Sequence, residues 1–314
     1  MSTNLYPLYT KGINDQFLLR LRTYDPEWRR LFHVQGTGER YIWAQGWQGY
    51  GLPQFRVPGE RIAQDQFQPN FSKQYIIRNF ALGDTIAQED IDDDLYGVVK
   101  FVLAQKGGFM AVSFQNLWQY QTAGFFQNQG FASGSTVAGM SDGKSLFNTA
   151  HPIAASNLGT TVANRPSVDA DLSVASWQAM CINLWTQKAP DNLTFLNNGL
   201  RKLCVNPQLH YVAHQIAHGT PYQPFSANFT PNIIPKDGSV EIIEWPYFQK
   251  SGATGTNNAW FGIAETNYLE FYMREAPKSQ TDYDIQTNSQ VVIMMTRGDY
   301  GASDWRGTYG STGA

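Results

Sequence analysis

Apolar residues recur at helical spacing in several stretches of the chain, with strand-length apolar runs between them. Ile91, Leu95, Val98, Val99, Val102 and Leu103 fall on one helical face. Thr85, with Gln88 three residues on, has the form of a capping-box start. A helix is therefore predicted from Thr85 to about Gln105, stopping at Gly107-Gly108 and resuming through Phe109–Ala123. A second helix is predicted from about Asp171 to Ala189, ahead of Pro190, with Trp177, Met180, Cys181, Leu184 and Trp185 as its apolar face. A third opens with Asn206 as N-cap and Pro207 at the first helical position, and closes at Gly219. A short helix is expected near Asp15–Arg22, within an aromatic and basic arm running from Met1 to about Glu39. Strand-length runs lie at Leu200–Val205, Val240–Trp245, Ala259–Ala264, Tyr268–Arg274 and Gln290–Thr296. Helices and strands alternate irregularly, which points to an α+β fold and away from a doubly wound sheet.

Between Gly46 and Phe80 the pattern changes. Gly46, Gly49, Gly51, Pro53, Pro58, Gly59 and Pro69 punctuate short runs such as Gln54–Val57 and Lys73–Ile77, with a tight turn expected at Val57-Pro58-Gly59-Glu60. So long a segment with few aliphatic residues is poorly suited to a core, and it reads as an extended β-hairpin leaving the body. Gly130 to Gly143 reads as a loop, and the chain ends in a glycine-rich tail carrying Tyr300, Trp305 and Tyr309.

Composition narrows the class. Charged residues make up 16% of the 314, below the roughly 25% usual for soluble domains, while aromatics reach 14%. Lys and Arg number 23 against 26 Asp and Glu, a formal charge of −3. That balance, with a pI near 5.9, excludes a dedicated nucleic-acid binder with a basic stripe. No apolar run nears the ~18 residues of a membrane span, and the N-terminus lacks the regions of a signal peptide. Cys181 and Cys204 are the two cysteines, too few for a disulfide scaffold and in keeping with a reducing compartment.

Candidate chemistry is sparse. His210, His214 and His218 stand four apart on the third helix, and two imidazoles at i and i+4 can share a metal. Tyr211 stands where a zinc protease carries its glutamate, and no carboxylate lies nearby in sequence, so the face reads as structural and no metal site is assigned. Gly139-Met140-Ser141-Asp142-Gly143 has the nucleophile-elbow pattern but sits in a loop, without the strand and helix that give it meaning. Asp90-Ile91-Asp92-Asp93-Asp94 starts like a calcium loop, but Leu95 and Phe101 stand where glycine and glutamate are needed. Asn-x-Ser/Thr triplets at Asn70, Asn192 and Asn228 and the Arg297-Gly298-Asp299 triplet add nothing in a chain without a secretion signal. No catalytic residue and no cofactor is assigned.

Several stretches, in order, resemble the major capsid proteins of tailed bacteriophages, in particular the Mu-like major head subunit group. They are Asp142-Gly143-Lys144-Ser145-Leu146-Phe147-Asn148-Thr149-Ala150-His151-Pro152, Leu203–Leu209 leading into a helix, Asn258–Ile263, and the closing Arg297–Tyr300 with Asp304-Trp305-Arg306. The resemblance implies the fold shared with the herpesvirus capsid floor. Its parts would be an N-terminal arm over 1–45, an extended hairpin (the E-loop) over 46–80, a peripheral domain with a spine helix over 81–168 and 268–314, and an axial domain over 169–267. It further implies self-assembly into the pentamers and hexamers of an icosahedral shell, within a virion assembled in the host cytoplasm. The implied partners are a separate scaffolding protein, a portal, an optional decoration protein and packaged double-stranded DNA held by weak non-specific contact. A separate scaffold is expected because the hairpin begins within about fifty residues of Met1. Trp47, Tyr50, Phe55, Arg56, Arg61, Phe67, Phe71 and Lys73 are the residues expected to touch neighbouring subunits. Lys73 carries no sequence feature that points to an isopeptide. Two alternatives remain at this level: the shell protein of a cellular nanocompartment with the same fold, and a metal-dependent enzyme using the three histidines.

Overall fold

A computed structural model describes residues 6–62, 64–93, 98–131, 140–218, 240–249 and 257–314. In chain order the elements are α1 (Tyr6–Thr23), α2 (Glu27–Leu31), β1 (His33–Gly36), β2 (Tyr41–Gln48), β3 (Gln68–Ile76), β4 (Arg78–Ala87), α3 (Gln88–Asp92) and α4 (Val98–Gly124). There follow β5 (His151–Ala154), β6 (Asn157–Val162), α5 (Val174–Thr186), β7 (Leu200–Val205), α6 (His210–His218), β8 (Glu241–Glu244) and β9 (Trp260–Ala264). Three long or closing strands complete the chain: β10 (Leu269–Asp284), β11 (Ser289–Ala302) and β12 (Thr308–Ser311). The mixture is α+β, and the chain divides into two units. One comprises residues 1–42, 75–122 and 271–300, the other 43–74, 123–270 and 301–314.

In the first unit a four-stranded sheet has the order β1-β10-β11-β4. β11 runs antiparallel to β4 in a ladder from Ser289 opposite Ala87 to Gly298 opposite Arg78. Val292 and Met294 on β11 and Ile86 on β4 meet Met110, Ala111 and Phe114 of α4 and Phe17 of α1. Beside them Trp28 stacks on Phe271 at 4.3 Å, and Trp118 stands edge-on to Phe271 and Phe80 at 5.0 and 5.3 Å.

Four sequence expectations fail in this unit. Asp84 and Thr85 do not start a helix; they lie in β4, opposite Val292 and Val291. A capping signal is worth only ~1 kcal/mol, and a long ladder outweighs it. Nor do Gly107 and Gly108 interrupt α4, which runs unbroken past them. Two glycines cost about 2 kcal/mol of helix propensity, and the packing of the flanking turns offsets that. Near the N-terminus, α1 is longer than the predicted Asp15–Arg22. β10 and β11 also outrun their predicted ends: the far part of β10 alternates polar residues at an exposed or half-buried surface, and that of β11 passes through two glycines beside buried Tyr300. Leu95 of the expected helical face lies outside the described residues.

In the second unit the sheet order is β12-β9-β7-β8, with β7 antiparallel to β9 and parallel to β8. Trp177, Met180 and Leu184 of α5 and Ala213, Ile216 and Ala217 of α6 pack with Leu203, Val205, Trp260 and Tyr309. α5 is shorter than predicted because Ser173 and Ser176 cap it reciprocally. Trp185, expected on its apolar face, is largely exposed. Asn206 does cap: its side-chain oxygen accepts from the Gln208 N–H at 3.0 Å over a 3₁₀ turn that leads into α6. The expected stop at Gly219 and residues 132–139 of the expected loop lie outside the described residues. The glycine-rich tail is core: β12 pairs with β9, and a Cβ on Gly310 would stand 2.9 Å from the Phe147 ring.

Candidate assembly surface

β2 and β3 form a two-stranded ribbon, so the hairpin spans Tyr41–Ile76. The expected span of Gly46–Phe80 is displaced, because Arg78–Phe80 begin β4. Along β2, Trp43, Gln45 and Trp47 face solvent while Ile42, Ala44, Gly46 and Gln48 are half-buried. Glycine is required at 46: a Cβ there would stand 2.8 Å from the carbonyl oxygen of Phe71. The end of the ribbon nearest its loop is tied to the β5–β6 hairpin of the same unit. Buried Asn70 accepts the Ala155 N–H at 2.8 Å, and the Ser156 hydroxyl donates to Gln48 at 2.5 Å.

Every described residue from 49 to 69 is exposed. Gln54–Val57, expected as a strand, is irregular. Pro53 and Pro58 flank it, each lacking a ladder donor. The tight turn forms as expected, with the Glu60 N–H donating to the Val57 carbonyl at 3.1 Å and Gly59 at φ +95°. At the root of the segment the Gly51 N–H donates to Asp65 at 2.5 Å.

Within this frame the eight residues singled out from the sequence fall into two groups. Trp47 is 51% exposed, Tyr50 60%, Phe55 94% and Phe67 48%, and Arg56 and Arg61 are exposed with them. Trp47 stacks on Phe67 at 4.8 Å and Tyr50 leans on Phe67 at 5.4 Å, so these rings also hold one another. Phe71 and Lys73 are half-buried, and the Lys73 ammonium lies over the Phe125 ring at 6.0 Å. Trp43, Leu52 and Ile62 are exposed on the same ribbon and were missed. The polar–apolar alternation of Tyr41–Gln48 was the signal for Trp43.

The long stretch Asp142–Pro152 folds into a buried knot. His151 is fully buried and stacks on Trp305 at 4.8 Å. Its Nδ1 meets Asp142 at 2.6 Å, and its Nε2 meets the Leu146 carbonyl at 3.2 Å and Asn164 Oδ1 at 3.1 Å. Arg306, buried beside it, donates to Asp304, to the Lys188 carbonyl and to the Ile153 carbonyl. Ser141 donates to the Ser303 carbonyl at 2.8 Å and not to His151, so the elbow pattern makes no catalytic triad.

One more cluster forms at the edge of the second unit. Glu244 of β8 accepts from His214 Nε2 at 3.1 Å and from His210 Nδ1. The carboxylate that the sequence did not place near these histidines is therefore supplied from thirty residues away, by the strand beside β7. Partial burial pushes the Glu244 carboxyl up, but the two histidine hydrogen bonds outweigh it and hold the group below the usual carboxylate range. His218, a turn further on, is exposed, its ring 5.6 Å from that of His214.

No protein-family model matches the chain, and no curated protein matches it. Solved structures do. The capsid structure of the cyanophage P-SCSP1u superposes over 90% of this chain and 86% of its own, with a TM-score of 0.56 at 12% identity. The mature capsid of bacteriophage PhiM1 matches over 91% of this chain and 86% of its own, with a TM-score of 0.53 at 12% identity. The chain has the phage major capsid fold. A structure from Mycobacterium phage Adephagia also matches, over 93% of this chain and 91% of its own, with a TM-score of 0.51 at 11% identity. At such identities a capsid fold is retained by its pattern of burial and pairing, while individual surface side chains are free to differ. The candidate contact residues of this chain therefore rest on its own exposed ribbon. Among the described residues no helix is long and apolar enough to cross a membrane.

Proposed function

We propose that the chain is the structural major capsid protein of a tailed bacteriophage, assembling as pentamers and hexamers into an icosahedral head around double-stranded DNA. The observation that carries this reading is the capsid fold over nine tenths of the chain. In this reading residues 1–40 are the arm, the Tyr41–Ile76 ribbon is the E-loop and α4 is the spine helix. Residues 81–122 and 271–300 make the peripheral domain, and 123–270 with 301–314 the axial domain, a division that keeps β12 with its partner β9 where the sequence-based limits at 168 and 268 would part them. Trp47, Tyr50, Phe55, Arg56, Arg61 and Phe67 reach a neighbouring subunit, while Phe71 and Lys73 brace the ribbon. The function is non-catalytic, and the buried knot around His151 supports that, since its polar groups are spent on internal hydrogen bonds. Scaffold, portal and an optional decoration protein are the partners of assembly in the host cytoplasm. DNA is met only weakly, in keeping with a net charge of −3.

The test is electron microscopy of the expressed chain with its candidate scaffold. Closed shells are expected, and a chain that stays monomeric under every assembly condition overturns the reading. Native shells filled with a cargo enzyme in place of DNA would assign the chain to a nanocompartment.

A further inference from the structure

We propose that His210, His214 and Glu244 form a binding site for a divalent transition-metal ion, with zinc the best-matched physiological ion. Their candidate ligand atoms all lie within 4.8 Å of one another. His210 and His214 stand one helical turn apart on α6, ring centroids 4.6 Å apart, and both turn a ring nitrogen to the same oxygen of Glu244. A metal bound there would replace the ring hydrogens that now face that oxygen, with little movement of the backbone.

The two supporting elements are held by one core. Ala213, Ile216 and Ala217 bury the face of α6 that adjoins the two histidines. On β8, Glu244 pairs with Val205 of β7 between buried Ile243 and Trp245, and the Trp245 N–H donates to the Val205 carbonyl at 3.0 Å. The donors are thus placed before a metal arrives. All three side chains are half-exposed, which gives an ion a path in and leaves room for water in a fourth position. Two imidazoles and one carboxylate are a donor set for zinc and its transition-metal neighbours, whereas calcium and magnesium prefer oxygen-only shells. His218 lies outside the cluster, which makes it an internal control.

The experiment is calorimetric titration of the full chain with zinc chloride, with cobalt(II) as a spectroscopic substitute. One ion per chain is expected, with a cobalt spectrum free of thiolate charge transfer. His210→Gln, His214→Gln and Glu244→Gln should each weaken binding about tenfold or more, and His218→Gln should leave it unchanged. Zinc protection from histidine acylation, read by mass spectrometry on the unaltered chain, keeps the test sound if a variant folds poorly. His210 and His214 should be protected and His218 should not. No binding by the unaltered chain, undiminished binding by Glu244→Gln, a thiolate signature from Cys181 or Cys204, or equal acylation with and without zinc would overturn the site.

Discussion

Phe55 isolates the assembly surface from the fold. Its side chain is 94% exposed on the ribbon, so Phe55→Ala removes little that the free subunit uses. The melting temperature should therefore stay within about 2 °C, as for a surface substitution worth at most ~0.5 kcal/mol. In a shell the arithmetic is different. If a neighbour covers the ring, close to 200 Å² of apolar surface leaves water, a gross gain of about 5 kcal/mol at ~25 cal/mol per Å². Ordering the ring and part of its backbone and leaving some area uncovered reduce this, and about 2 kcal/mol per contact is a conservative remainder. At 1.4 kcal/mol per tenfold, the concentration at which shells appear should rise about thirtyfold. Light scattering against subunit concentration, with particles counted by electron microscopy, reads that threshold. An unchanged threshold refutes Phe55 as a contact, and a melt lowered by ten degrees shows that the ring serves the chain's own fold.

Three further outcomes follow from the same geometry. Replacing residues 50–66 with a short Gly-Ser turn should leave a cooperatively melting subunit that forms no closed shells, since every described residue there is exposed; normal shells would overturn the segment as an assembly contact. Gly46→Ala forces a Cβ to within 2.8 Å of the Phe71 carbonyl and should destabilise the ribbon by about 1–3 kcal/mol, seen as faster amide exchange in β2 and β3. Asp169 is pushed up by burial, but the hydrogen bonds from Arg165 and Thr312 outweigh this and hold it below the usual range. Its contribution is therefore complete above the unfolded value of about 3.9 and lost as pH falls through the lower folded value. Asp169→Asn should lower stability at neutral pH and flatten the acid limb of a melting-against-pH series, and an unaltered limb would count against the pairing.

Local pattern made the second unit's core legible. Leu203–Val205 and Trp260–Ala264 are apolar runs short enough to be strands, and both are buried. Asn206-Pro207 was equally readable, because a cap acts within three residues. What stayed hidden depends on distant partners. Thr85 has a good helix-start signal and no sequence sign of the ladder with Val291 that overrides it. The polar outer part of β10 has no apolar face to mark it, and Gly298 and Gly301 interrupt the pattern at the end of β11. Glu244 reaches the histidines through parallel pairing of β8 with β7, and nothing at positions 210–218 announces it.

The aromatic content needs the same separation. Low charge and 14% aromatic residues invite the reading of a chain built to face other copies. Yet Phe126 stacks on Phe261, Phe131 on Phe147 and Trp28 on Phe271, all inside their own units. Those rings would be needed by any monomer of this fold, so the count by itself is no argument for an interface. Location is. Trp43, Trp47, Tyr50, Phe55 and Phe67 share one ribbon whose outer part has no buried residue among those described. An apolar run so exposed is a solubility hazard unless something covers it or breaks it up. Here Arg56, Glu60, Arg61 and Asp65 break it up in the free chain. A neighbour that covers the rings must then also meet those four charges, which gives the contact a register as well as an area. The case for this segment as a contact thus rests on its location, and its first test is Phe55.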